Sequence, residues 1–243
     1  MSEIATPRLD LRNEVRDDHH RRPLYAGQAV YSTRTLRAYD FVVLGVSNRF
    51  IWKCPTARLL AHYDAHVTAN HADAGVGTGF FLDRCRFPSP NPRIALIDLN
   101  QNTLDFASRR IARYRPHVYR RNVLEPLRID APKFDSVALN YLLHCLPGSI
   151  ASKTVVVDHM RAAMNPGAVL FGSTLLQGGV QRSPFAKRLM NVYNERGIFS
   201  NELDDLDGLT AELHKRFADV SLEVVGCAAL FACRNDRAEM RRS

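Results

Sequence analysis

From His71 to Arg234 the chain alternates short, continuous apolar runs with segments whose apolar residues recur at helical intervals. The runs are NHADAGV (70–76), RIALIDLN (93–100), VYRRNVL (118–124), FDSVALN (134–140) and AVLFGSTLL (168–176), with a closing pair of strands around Gly226. Helical patterns fall around Phe80 to Arg86 and at 101–114, 153–165, 184–199 and 206–217. Pro166-Gly167 marks a turn. Runs apolar on both sides belong to strands covered on both faces, and strand–helix–strand repeats build a parallel sheet. The expectation is therefore an α/β fold: an open, twisted, mostly parallel seven-stranded sheet with helices on both faces.

The flanks read differently. Residues 1–23 are charged and poor in apolar residues, which predicts a flexible tail, and 236–243 form a second short tail. Residues 24–67 read as two helices with a break at Gly45-Val46-Ser47-Asn48, an N-terminal helical lid ahead of a domain at 68–235. At 243 residues, 46% apolar and 24% charged, the chain is long enough for one substantial core. No apolar run reaches the roughly 18 residues of a membrane span. The five cysteines form no CxxC pair, so buried reduced thiols and a cytoplasmic location are expected. The net charge of +8 raises a nucleic-acid partner, but its densest stretch, Arg109 to Arg121, reads as a solvated helix face and carries no RNA- or DNA-binding signature.

Chemistry concentrates at DAGVGTG, where Asp73 ends the first strand and Gly75, Gly77 and Gly79 follow. Glycines at this density let a ligand approach the backbone. A triphosphate loop needs a lysine that is absent here. The dinucleotide pattern GxGxxG fails because its third glycine falls on Phe80. An acidic residue beside the turn repels phosphate and suits a ligand with a cationic end.

The spacing Asp73-x-Gly75-x-Gly77-x-Gly79 resembles the first motif of the class I, Rossmann-like methyltransferases that use S-adenosylmethionine, a cofactor with a sulfonium, an ammonium and no phosphate. Nineteen residues past Gly79, Asp98 ends the second strand, where a carboxylate can accept both ribose hydroxyls. The resemblance implies that Leu99 lies against the adenine, with Asn122-Val123 in place of the family's usual Asp-Ala pair. It also sets Asn140, at the end of the fourth strand, beside the methionine moiety. It covers roughly residues 65–233 and implies methyl transfer to an O, N or C atom by in-line displacement.

The acceptor is less defined. No [DN]PP[YF] follows strand four and no metal-binding carboxylate set is evident, which favours a small-molecule acceptor and no metal. The apolar, aromatic residues of the candidate pocket favour an aromatic or polyketide-like metabolite. His144 stands where a general base is needed, or packs on the following helix. Tyr31 and Tyr39 are candidates to flank the cofactor, with Tyr31 the stronger choice. Trp52, Tyr141, Met190 and Tyr193 are candidates for the acceptor pocket, beside Phe199, or else fill core. An insertion at 176–201 occupies the place of a substrate lid. The chain is expected as a monomer or homodimer. The rival readings are an RNA methyltransferase, which the charge motivates, and a catalytically silent partner protein with the same fold.

Overall fold

A computed structural model describes residues 40–236. Seven strands form one sheet in the order β3-β2-β1-β4-β5-β7-β6. The strands are β1 (Asn70–Ala74), β2 (Arg93–Asp98), β3 (His117–Arg120), β4 (Phe134–Asn140), β5 (Met164–Leu175), β6 (Asp219–Val225) and β7 (Ala228–Arg234). The first five are parallel, and β7 runs antiparallel to both β5 and β6. The mostly parallel seven-stranded arrangement matches the sequence reading.

Side-chain alternation explains the double covering. Ala72 and Ala74 of β1, Ala95 and Ile97 of β2, and Val137 and Leu139 of β4 enter one core. Ile94, Leu96 and Ala138, their neighbours in sequence, enter the core on the opposite face. A strand with period two buried on both faces has no polar side to spare. The first core is closed by α5 (Val155–Ala162) through Val156, Val157 and Met160, and by α7 (Leu206–His214) through Leu209 and Leu213. The second is closed by α1 (Thr56–His66) through Tyr63, α2 (Phe80–Arg84) through Leu82, and α3 (Gln101–Arg110) through Leu104 and Ala107. Asn100 caps α3, its side chain accepting the Asn102 N–H at 2.9 Å.

Several local expectations change. The Gly45–Asn48 break is absent: a π-helix runs from Asp40 to Ile51 through those residues. The chain turns later, where Trp52 N–H donates to the Ser47 carbonyl and Cys54 N–H to that of Asn48. Strand β3 is shorter than expected and ends at Arg120, so Asn122 and Val123 lie in the following turn. Pro166-Gly167 does not precede β5 but lies within it, as an irregularity in its pairing with β4. Pro166 has no N–H for the ladder and Gly167 takes φ +76°, which is why the strand bulges there. The helix expected at 153–165 starts earlier and is split into α4 (Ile150–Lys153) and α5. Helix α6 (Pro184–Glu195) lies within residues 176–201, capped by Ser183, whose hydroxyl oxygen accepts the Ala186 N–H at 3.1 Å.

Strand order reverses between β1 and β4, whose following segments lead to opposite sides of the sheet. That crevice, at the carboxyl ends of the strands, is where open α/β sheets bind ligands.

Candidate functional site

A cleft opens at this switch point. Its walls include Asp73 near the end of β1, Gly75 and Gly77 from the β1–α2 turn, Asp98 and Leu99 at the end of β2, Asn122 and Val123 after β3, and Asn140 and Tyr141 at the end of β4. Nine of the residues singled out in the sequence thus meet in one place.

The turn after β1 needs its glycines. Gly75 has φ +74°, and a Cβ there would sit 2.7 Å from Leu142 Cδ1. Gly77 has φ +52° and nothing within 4 Å of a Cβ, so its backbone borders open space. Gly79, also left-handed, does not line the cleft; it caps α2 and packs against Ala107.

Two carboxylates face this turn. Asp73 is buried, and Oδ2 accepts a hydrogen bond from the Tyr63 hydroxyl at 2.8 Å. Burial pushes its carboxyl up to about 7, and the Tyr63 hydroxyl opposes that rise while the charge of Asp98 adds to it. Asp98 Oδ1 accepts the Asn100 backbone N–H at 2.8 Å. Burial raises this carboxyl to about 6, against the pull of the Asn100, Leu99 and Val76 amides. Both groups gain from a ligand that brings positive charge or hydroxyl donors.

Two polar atoms in the cleft have no partner. Asn140 Oδ1 accepts the Ser173 hydroxyl at 3.1 Å, which leaves Nδ2 buried and unpaired. Thr103 Oγ1, in the first turns of α3, is likewise buried and unpaired. An unmet donor costs about 1–3 kcal/mol, so such atoms are usually completed by a ligand or water. A cofactor with a cationic amino acid end, ribose hydroxyls and an apolar adenine fits this donor and acceptor set.

Asn122 forms its own turn: Oδ1 accepts the Leu124 N–H at 3.1 Å, and Nδ2 donates to Glu125. Tyr141 adopts φ +53°, rare for a residue with a side chain, and its hydroxyl donates to Asn48 Oδ1 at 3.0 Å. This bond fastens the π-helix, whose Leu44 also lines the cleft. Sequence reasoning did not single out Leu44, Phe81, Thr103, Leu142, Leu146 or Ile198, all on the cleft wall. Leu142 and Leu146 carry a readable signal, because they stand one helical turn apart directly after β4.

Besides Gly79, four proposed residues do not reach the cleft. His144 is buried behind it; Nδ1 accepts the Leu175 N–H at 3.3 Å, and the ring packs edge-on against Phe199. Burial, with the charge of Lys153, lowers its pKa to about 3, so a neutral imidazole is held in the core. The packing alternative for His144 is the one this geometry fits. Trp52 and Met190 are fully buried in a third core formed with Leu59, Ala186 and Leu230. Tyr193 packs on Trp52 and Phe199 at the edge of that core. The amphipathic α6 needs these rings to bury its apolar side, which takes them from the pocket. Tyr31 and Tyr39 lie outside the described residues. Among the described residues no group of three or more His, Cys, Asp or Glu side chains could hold a metal ion, and no helix is long and apolar enough to cross a membrane.

Comparison with known proteins follows the same outline. Residues 72–170 match a family model described as a methyltransferase domain. The demethylluteothin O-methyltransferase of Streptomyces thioluteus is 40% identical over 84% of this chain and 89% of its own length. An O-methyltransferase of the physcion biosynthesis cluster of Aspergillus chevalieri is 35% identical over 86% of this chain and 95% of its own. Among solved structures, a DhpI–SAH complex superposes with a TM-score of 0.62 at 14% identity, covering 89% of this chain and 98% of that one.

Proposed function

Because the chain belongs to the class I S-adenosylmethionine-dependent methyltransferases that act on small molecules, we propose that its target is a hydroxyl oxygen of an aromatic or polyketide-like metabolite. Bound S-adenosylmethionine supplies an electrophilic methyl group on a sulfonium. The chain's own residues bind, orient and exclude water.

In this reading Asp73 and the Gly75–Gly77 backbone hold the ammonium end of the cofactor, and Asp98 accepts the ribose hydroxyls. Asn140 uses its unpaired Nδ2 as a donor to the methionine moiety. Leu99 and Val123 sandwich the adenine, with Asn122 at its edge. Phe80, Leu142, Leu146 and Ile198 give the cleft an apolar side suited to a planar acceptor.

Positioning carries the reaction. The titratable side chains that the described cleft offers are Asp73, Asp98, Arg121, Tyr141 and Cys145. Two of these serve the cofactor, and burial pushes the Cys145 thiol up to about 12. With no side chain here assigned as a base, the acceptor best suited is a phenol or enol acidified by conjugation with a carbonyl. Such a group loses its proton to solvent before the methyl is transferred. Holding its oxygen in line with the sulfonium methyl is worth several kcal/mol of barrier. The O-methyltransferase names of near-full-length relatives carry the choice of oxygen.

No nucleic acid enters this reading; Arg110 and Arg113 of the basic stretch are tied to Asp83 at 3.2 and 2.7 Å. Five free cysteines accord with a cytoplasmic protein, monomeric or homodimeric. The test is an assay with S-adenosylmethionine against matched phenols, enols and amines, read as methylated product by mass. Methylation of the amines alone overturns the proposal.

A further inference from the structure

Below Asp73 a chain of buried hydrogen bonds runs through the core along the face of the sheet covered by α1. Tyr63 of α1 lies between two residues of β1, its hydroxyl 2.8 Å from Asp73 Oδ2 and 2.7 Å from His71 Nε2. On the other side of the imidazole, Nδ1 is 2.8 Å from Ser136 Oγ of β4, the residue opposite His71 in the ladder. Ser136 Oγ in turn accepts the Thr68 backbone N–H at 3.0 Å. Tyr63, His71 and Ser136 are all fully buried.

The protons in this chain have one arrangement when Asp73 is ionised. A carboxylate only accepts, so Tyr63 donates to it. A phenol has one proton, so the remaining bond at its oxygen is donated by His71 from Nε2. His71 sits against Phe171 and Phe87, and burial lowers its pKa to about 3, so its ring is neutral with a single N–H. Nδ1 then accepts from Ser136. Every donor points toward Asp73, and such aligned chains reinforce one another.

We propose that Tyr63 and His71 are positioning residues for the cofactor's ammonium end: the Ser136–His71–Tyr63 chain holds the Asp73 carboxylate charged and fixed in the cleft. The inference rests on the assignment of Asp73 to the ammonium given above. The groups facing Asp73 leave this work to Tyr63. From β2 the Asp98 charge opposes a second anion, and Cys85, beyond α2, is a neutral thiol. His71, on its own strand, reaches Asp73 only through the phenol. Burial opposes the charge as well, and the Tyr63 hydrogen bond is what favours it. Phe81, a cleft residue, stacks on the Tyr63 ring at 5.6 Å and 7° and keeps the phenol in place.

The experiment is S-adenosylhomocysteine binding by calorimetry, in buffers of different ionisation enthalpy, across neutral pH. Tyr63→Phe removes one oxygen and keeps the packing. It is expected to weaken binding about tenfold at neutral pH, release more protons on binding, and regain affinity as pH rises. His71→Gln, which keeps a donor amide, is expected to bind better than His71→Leu. A Tyr63→Phe protein with parental affinity and parental proton release overturns the relay. Nitrogen-15 NMR on the parent complex is independent of folding losses: the Nε2–H tautomer is expected for His71, and Nδ1–H or an imidazolium overturns the proposal. Asp73→Asn separates the two claims. Unchanged binding there removes the ammonium assignment, whereas lost binding with an unaffected Tyr63→Phe removes only the relay.

Discussion

Asp73 and Asp98 stand near the carboxyl ends of adjacent parallel strands, and the charge on Asp98 makes Asp73 harder to ionise. Two anions on one cleft, Asp73 buried and Asp98 half-buried, destabilise the ligand-free fold and are relieved by a cationic, hydroxyl-rich ligand. If the proposed ligand contacts hold, the same pair favours its binding and costs stability in its absence.

Asp98→Ala tests the ribose contact. Losing charge-assisted hydrogen bonds to two hydroxyls is expected to weaken S-adenosylmethionine binding by roughly 1.5–3 kcal/mol. Calorimetry reads this directly, and an unchanged dissociation constant means that the ribose lies elsewhere.

Asp73→Asn should act oppositely on stability and on binding. The folded carboxyl titrates at about 7, well above its unfolded value, so the fold holds a proton that the unfolded chain has lost. Stability from this group is present at acid pH and is lost as pH rises toward 7. An amide keeps an acceptor for Tyr63 and never ionises. Without ligand, the variant is expected to be more stable than the parent at about pH 8, by at least about 1 kcal/mol, and no more stable at about pH 4. The stabilisation by S-adenosylhomocysteine should largely vanish. Thermal denaturation at the two pH values, with and without that ligand, measures all of this.

His144→Leu addresses the residue that the sequence offered as a base. The Leu175 N–H loses its acceptor in a buried place, which costs about 1–3 kcal/mol. Turnover per folded molecule is expected to fall less than tenfold, whereas deleting a working base costs about 10²-fold or more. The imidazole's folded pKa of about 3 lies below its unfolded value. Its contribution is thus complete above about pH 6.5 and is lost as pH falls toward 3. The variant should show a shallower acid loss, though not a flat one, since His62 and His71 are also held neutral.

That the residues proposed for the cofactor share one cleft was legible because backbone geometry carries it. Strand ends, left-handed glycines and the acidic residues beside them stand at fixed sequence distances, and Asp73, Gly75, Gly77, Asp98 and Asn140 meet accordingly. The acceptor half was not legible, because its aromatics serve two purposes that look alike in sequence. Trp52, Met190 and Tyr193 have a helical spacing that serves a core or a pocket alike, and here they close a core with α6. His144, readable as a base or as a packing residue, is set by a short 3₁₀ turn at Leu143–Cys145 that directs the ring toward β5 and not the cleft. Asn48 shows the converse. Part of a supposed helix break, it holds the Tyr141 hydroxyl from within a continuous helix.

Lys153 and Asp204 join α4 to the segment between α6 and α7, with both side chains fully buried. Lys153 Nζ donates to Asp204 Oδ2 at 2.7 Å and to the Ser200 carbonyl, and Asp204 Oδ1 has no partner. Burial lowers the pKa of the lysine and raises that of the aspartate, each the direction of an ion short of solvation. Removing one partner strands the other charge, so Lys153→Met is expected to cost about 3–5 kcal/mol in chemical denaturation. The double variant Lys153→Met/Asp204→Leu removes both charges and should recover most of that loss, which a double-mutant cycle quantifies. Ile198 borders the cleft two residues before Ser200. A loosened segment should accordingly raise KM for the acceptor in the single variant and leave the affinity for S-adenosylhomocysteine near parental. Equal losses in the single and double variants would show that the pair holds the segment by specific geometry, not by cancelling two buried charges.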